Sequence, residues 1–426
     1  LIYIFIIGLL LCSYTWADGS RYASKSLLSE GKWVKIRVDK TGIYKLSYAD
    51  LKNMGFSAPS KVSVHGYGGW PLDEDFSKEY IDDVPSTPVW RGSDYLLFYG
   101  KGPVKWEYDS SSQTFVHTNN PYSLYGYYFV TDATPTNDMT SVAQASGATN
   151  RITTYDDYLV HEQELVSLAK SGRELYGEDF SGATPRTLST FSSIPGITNE
   201  DAKVTMSFVS KVTSGTGVAS LSINQSNVLD VSIRSNREEY VKALEGVSTA
   251  VWKGEKSEKN SVVVSYNSAS HNNVRLNYVR LHFKRTLQLY GAYTFFRSIA
   301  SIGNVSRFVV QGANANTLVF DVTDAQRVRL METELNGSEL TFSIPAGTLR
   351  EFVLVRTDQS FISPEVVGEV ENQNLHALEQ KDMIIIAAKA FQTQAERLAE
   401  EHRATDGLTV EVVDPQSIYN EFSSGA

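Results

Sequence analysis

Cysteine is nearly missing from this chain of 426 residues: there is one, Cys12, inside its first apolar stretch. A disulfide scaffold and a cysteine-ligated metal are thereby excluded from everything that follows it. Methionine is also scarce, five residues against 23 Tyr and 19 Phe, so the apolar content is of the kind that suits half-buried strands. Basic excess is missing as well. A formal net charge of −10 and a pI of about 5.3 argue against a nucleic-acid partner. Leu1 to Leu11 is too short for a membrane helix, which needs about 20 residues, and has the length of a secretory h-region. Thr15-Trp16-Ala17 places small residues where signal peptidase reads, so 1–17 is expected to be a signal peptide, incomplete because its basic start and initiator Met are missing, on an exported chain. Cys12 would leave with it. Lipidation of Cys12 is the weaker reading, because the preceding Leu11 is not small.

Several catalytic signatures are lacking too. His161-Glu162 begins like a zinc-peptidase helix, but the second histidine that motif needs is replaced by Leu165. There is no Walker glycine loop and no Gly-x-Ser-x-Gly elbow. His65, His117, His271, His282, His376 and His402 are scattered, and His402 reads as a packed or edge residue. Asp73, Glu74, Asp75, Asp82 and Asp83 are hard oxygen ligands of the type calcium uses, but without calcium-loop spacing they read as a solvated acidic loop. The belt Tyr95, Phe98, Tyr99, Trp106, Tyr108, Phe115, Tyr122, Tyr125, Tyr127, Tyr128 and Phe129 offers a platform for glycan rings; strand spacing favours core and cross-strand pairing instead.

What is present is an ordinary globular composition, 42% hydrophobic and 21% charged, long enough for two to four domains. Gly31 to Ser47 alternates around a Lys40-Thr41-Gly42 turn and predicts a β-hairpin. A short helix is expected from Tyr48 to Met54, then strands at 62–66, 95–99 and 125–131. Pro135 to Arg151 is small and polar, a linker or long loop. Alternating segments at 203–209, 217–223, 228–233, 261–266 and 277–283 predict a sandwich or jelly roll, and a third β group runs over 307–356.

The end of the chain changes character. Met383 to Ala388 reads as a buried parallel strand, and Phe391, Ala395, Leu398 and His402 share one face of a following helix. Gly407 supplies its stop, 408–413 a second strand, and Asp414-Pro415 the start of another helix to about Phe422. Strand, helix, strand, helix is the opening of a doubly wound α/β domain, too short to close a core.

This stretch, with AERLAEEH, DGLTVEVV and IYNEFSSGA, resembles the beginning of the catalytic domain of the gingipain family of cysteine peptidases. GKW and KTGIYKL, DYLLFYGKGPVKWEYD, NNPYSLYGYYFV and LVFDVTD are similar to the β-rich region of PorU-type sortases of the Bacteroidetes type IX secretion system. SGRELYGEDF matches approximately, with Leu175 where an aromatic is more usual. The expected fold is mainly β, successive β-sandwich or barrel-like domains followed by the truncated start of a gingipain/caspase-like α/β catalytic domain. The expected divisions are 25–150, 151–290, 291–370 and 375–426.

The resemblance implies a surface or outer-membrane cysteine peptidase that cleaves C-terminal secretion signals from protein cargo and links the cargo to lipopolysaccharide. It would work with outer-membrane components of the secretion machinery and without a cofactor; calcium, possible in the family, is not assignable to residues. No catalytic residue is assigned: the His and Cys are expected downstream of Ala426, and the fragment alone is expected to be inactive. Two rivals stand beside this reading: a secreted gingipain-like protease of broad substrates, and a non-catalytic surface β protein.

Overall fold

The structure is a computed structural model that describes residues 22–78, 80–170 and 173–426. The signal-peptide stretch, with Cys12 and the cleavage sequence, lies outside those residues. In the first layered unit, a five-stranded sheet runs in the order Glu365–Val370, Trp33–Val38, Gly126–Thr131, Ser63–His65, Ser86–Thr87. A three-stranded sheet, Gly42–Ser47, Tyr95–Gly100, Val89–Arg91, faces it. Val34, Ile36, Tyr44, Leu46, Val64, Phe98 and Tyr128 fill the space between, each nearly or fully buried. Full burial of such aliphatic or aromatic side chains stabilises by about 1.5–3 kcal/mol apiece.

The expected hairpin of Trp33–Val38 with Gly42–Ser47 does not form; the two strands lie in opposite sheets. Trp33–Val38 already has an antiparallel partner on each edge, Gly126–Thr131 and Glu365–Val370, which leaves no ladder for its neighbour in sequence. Helix α1, Tyr48–Asn53, forms as expected, with Ser47 and Asp50 exchanging side-chain and backbone hydrogen bonds in a capping box.

The centre is a nine-stranded sheet: Ser141–Val142, Arg329–Met331, Thr317–Asp321, Glu351–Arg356, Tyr293–Arg297, Thr154–Glu162, Asn272–Thr286, Ala202–Lys211, Leu244–Trp252. It takes strands from both sides of residue 290. One half packs on the four strands Arg186–Thr187, Val262–Tyr266, Thr216–Ile223 and Ser226–Arg234 around Phe180, Phe208 and Leu221. The other packs on Asn150–Ile152, Asn304–Val310, Glu339–Ala346 and Glu334–Asn336 around Phe296, Phe308, Phe342 and Phe352.

Leu244–Trp252 escapes sequence pattern because Gly246, Ser248 and Ala250 on its inner side are small, while Val247 and Val251 on the other are exposed. The polar stretch 135–151 is a hydrogen-bonded strap. Its Asn137 and Met139 bond the backbone of Val89, and its strands Ser141–Val142 and Asn150–Ile152 pair in parallel with 329–331 and 304–310. Small polar residues suit such a strap, because its strength lies in backbone groups that must be satisfied wherever they are buried.

Candidate functional site

Residues 383–422 fold as read: strand Met383–Ile386, helix α2 Gln392–Thr405, strand Val410–Val413 and helix α3 Pro415–Phe422. The two strands are parallel, Met383 opposite Val410 and Ile386 opposite Val413, in a sheet of their own. Gly407, at φ +69°, makes the turn out of α2.

Two expectations fail here in detail. The first strand is not covered on both faces: Ile384 and Ile386 are 58% and 62% exposed. The buried face of α2 is Ala395 and Ala399, while Phe391 and Leu398 stand in solvent. Small residues let α2 lie close on its sheet; the larger apolar ones are left facing outward.

Open α/β sheets bind ligands beyond the carboxyl ends of their strands. Here those ends lead to Lys389 and Asp414. Both line a cleft of about 510 Å³ shared with Lys35, Glu369, Gln373 and Asn420, between the α/β unit and the first sandwich.

The unit is tied to that sandwich through α3 and the turn after it. Glu421 is fully buried and accepts hydrogen bonds from Leu375 N at 2.8 Å, His376 N at 3.1 Å, Gln373 Nε2 at 2.9 Å and His376 Nδ1 at 2.5 Å. The other imidazole nitrogen meets Asp82 Oδ1 at 2.9 Å, and the ring stacks on Phe422. Burial pulls against protonation of His376, but the hydrogen bonds to Asp82 and Glu421 outweigh it and hold its pKa above the usual imidazole value.

Lys35, on the first strand of the sandwich, donates to Asn420 Oδ1 at 3.1 Å and Gly425 O at 2.6 Å; burial lowers its pKa to about 8. The hydroxyls of Tyr67 and Tyr80 both donate to Phe422 O. Ser424 Oγ accepts from Tyr67 N and donates to Tyr127 O. Gly66, at φ +110°, leaves room for this approach; a Cβ there would stand 2.6 Å from Ser424 Oγ. Largely buried and hydrogen-bonded, these groups hold the unit against the sandwich.

Sequence reading had no means of finding this network, since Asp82, His376 and Glu421 lie 294 and 45 residues apart along the chain. The other histidines serve locally. His161 sits on the strand Thr154–Glu162, not a helix, between Thr190 and Glu178. His65 bonds Val84 O, His117 Glu162, His271 the Tyr266 hydroxyl, His282 Asp156 and His402 Asp406.

The described acidic side chains of the 73–83 stretch have partners within the protein. Asp73 pairs with Lys78, Glu74 with Arg173, Asp82 with His376, and Asp83 takes Ser26 Oγ and Leu27 N. Among the described residues no group of three or more His, Cys, Asp or Glu side chains gathers as a metal site. No helix among them is long and apolar enough to cross a membrane.

The aromatic belt divides. Phe98, Tyr99, Phe115, Tyr128 and Phe129 are core, whereas Tyr122 is exposed. Trp106 stacks on Tyr158 at 4.0 Å beside Arg297, a buried cation that bonds Glu351 at 2.5 Å and Asp156 O at 3.2 Å.

Residues 376–426 match the model of Peptidase family C25. The chain is similar, over 95% of its length, to the crystal structure of dimeric latent PorU from Porphyromonas gingivalis, with 32% identity and a TM-score of 0.89. It spans 39% of that protein's length. A likeness to CBM35 of Cellvibrio japonicus Abf62, 12% identical over 34% of this chain and 94% of that one, has a TM-score of 0.18 and carries no structural weight. No match was found among curated proteins. With its described length superposing on PorU and its end matching a peptidase family, the molecule is a PorU-like chain carrying part of a C25 cysteine peptidase domain.

Proposed function

We propose that the parent protein is an outer-membrane, surface-facing sortase: a cysteine peptidase that removes C-terminal secretion signals from type IX cargo and joins the cargo to lipopolysaccharide. The observation that carries this reading is the parallel pair 383–386 and 410–413, matched to a cysteine peptidase family and bare on the face of Ile384 and Ile386. Family membership brings the chemistry. A thiolate, its proton taken by an imidazole, attacks the scissile carbonyl, and preorganised donors hold the oxyanion that forms. Collapse expels the signal segment as an amine, protonated by the imidazolium, and leaves a thioester. An amine on the glycolipid then competes with water for that thioester and restores the thiolate.

Under this reading the His and Cys belong beyond Ala426, at the carboxyl ends of the sheet that 383–386 and 410–413 begin. The β layers present cargo and contact the secretion machinery. The test is cargo processing in cells carrying the complete protein with its catalytic cysteine changed to alanine. Cargo is expected to keep its C-terminal segment and stay unattached; normal processing would defeat the proposal.

A further inference from the structure

Outside the α/β cleft, a second pocket of about 460 Å³ lies beside the 71–81 loop. Its walls include Tyr67, Trp70, Leu72 and Tyr122, with Ser423 and Ala426 along one side. It is mostly apolar, and the charges at its rim are largely spent. Asp73 is bonded by Lys78 at 2.6 Å, Asp75 by Ser77 Oγ at 2.7 Å, Glu74 is paired with Arg173, and Lys105 reaches Glu107 at 2.8 Å.

Lys101 is the exception. The residue is 6% exposed, and its ammonium sits 4.5 Å from the centre of the Trp70 ring. Among the described residues no carboxylate pairs with it at ion-pair distance and no acceptor bonds it; Asp324 attracts it only from farther away. Burial, then repulsion from Lys105, pulls its pKa down to about 8, so it still carries its charge at neutral pH. Beside it, the indole N–H of Trp70 is buried without an acceptor.

The backbone is built to hold Lys101 in this position. Its N–H donates to the Tyr128 hydroxyl at 2.7 Å and its carbonyl accepts from Gly69 at 3.0 Å. Gly68 and Gly126 press so close that a Cβ on either would stand 2.7 Å or 2.0 Å from that carbonyl. A buried cation costs stability unless it is paired, and attraction to an indole face only partly offsets the loss of water. A charge held this firmly in an apolar pocket, with neighbouring charges already neutralised, is suited to one anionic group attached to an apolar body.

We propose that this pocket binds a small carboxylate bearing an apolar or aromatic group, its charge on Lys101 and its body against Trp70, Leu72 and Tyr122. Such a group occurs both at the end of a polypeptide and in a free fatty acid, and the two can be told apart.

The experiment is calorimetric titration of the full-length protein with N-acetyl-phenylalanine, with decanoate, and with N-acetyl-phenylalaninamide as the uncharged control. At least one acid is expected to bind saturably, and the amide about tenfold more weakly or worse, as loss of a charged hydrogen bond implies. The tighter of the two acids identifies the source. Lys101→Gln should lose the same factor, Lys101→Arg should keep part of the affinity, and Lys105→Gln should change it little. Because Lys101→Gln removes a charge that burial disfavours and no ion pair offsets, its melting temperature should hold or rise, which separates lost binding from lost fold. Equal binding of acid and amide, full affinity in a folded Lys101→Gln protein, or no saturable binding of either acid at millimolar concentration would each overturn the proposal.

Discussion

Glu421 shows how much can rest on one side chain. It is fully buried and takes four hydrogen bonds, two of them from the backbone at residues 375 and 376, so its charge is matched by donors on every side. Glu421→Ala would strand those donors together with the imidazole of His376, and breaking a buried ionic network from one side costs about 3–5 kcal/mol. Glu421→Gln keeps the volume and one acceptor oxygen and should cost less. Urea unfolding of the two variants beside the parent measures both; coincident curves for all three would show that the network contributes nothing.

At the scale of elements, the strand Met383–Ile386 is the telling one. An apolar strand with Ile384 and Ile386 exposed has no reason to be apolar on that face unless something covers it. If the remainder of a C25 domain does so, Ile384→Ser should shift the stability of the 426-residue chain by no more than about 0.5 kcal/mol. In the complete protein the same change should cost roughly 2–4 kcal/mol, as loss of a buried branched side chain does. Denaturation of the two lengths side by side decides it. Equal effects in both would mean that the face stays in water. Helix α2 carries the same message, with Ala395 and Ala399 packed and Phe391 and Leu398 left over.

For the whole molecule, the question is how firmly the α/β unit is held to the first sandwich, and pH tests it. The folded pKa of His376 is raised against its unfolded value of about 6.5, so its stabilising contribution is complete below that pH and drains away as pH rises through the folded value. Asp83, raised by burial, acts in the same sense at lower pH. Lys35 acts oppositely: lowered to about 8 when folded, against about 10.4 unfolded, it returns some stability above pH 8. Hydrogen exchange in α3 should therefore speed up as pH climbs past about 6.5, after correction for intrinsic exchange, and His376→Asn should flatten that limb. A profile unchanged by the substitution would exclude His376 as its source.

The same whole-molecule view separates what could be read from the chain and what could not. Strands at 95–100, 126–131 and 216–223, the short helix α1, and the strand, helix, strand, helix order of the final stretch were determined by the sequence alone, because apolar period and turn residues act over a few neighbours. The family resemblance was legible for the same reason: its motifs are local runs. Which sheet each strand joins was not. Trp33–Val38 and Gly42–Ser47 read as a hairpin until partners about 90 and 330 residues away in the chain took both edges of the first strand. Only the tertiary structure decided that Asp82, His376 and Glu421 meet, that Lys101 is left without an ion pair among the described residues, and that Ile384 faces water. Burial and pairing between distant segments depend on what folds over them, and no local pattern records that.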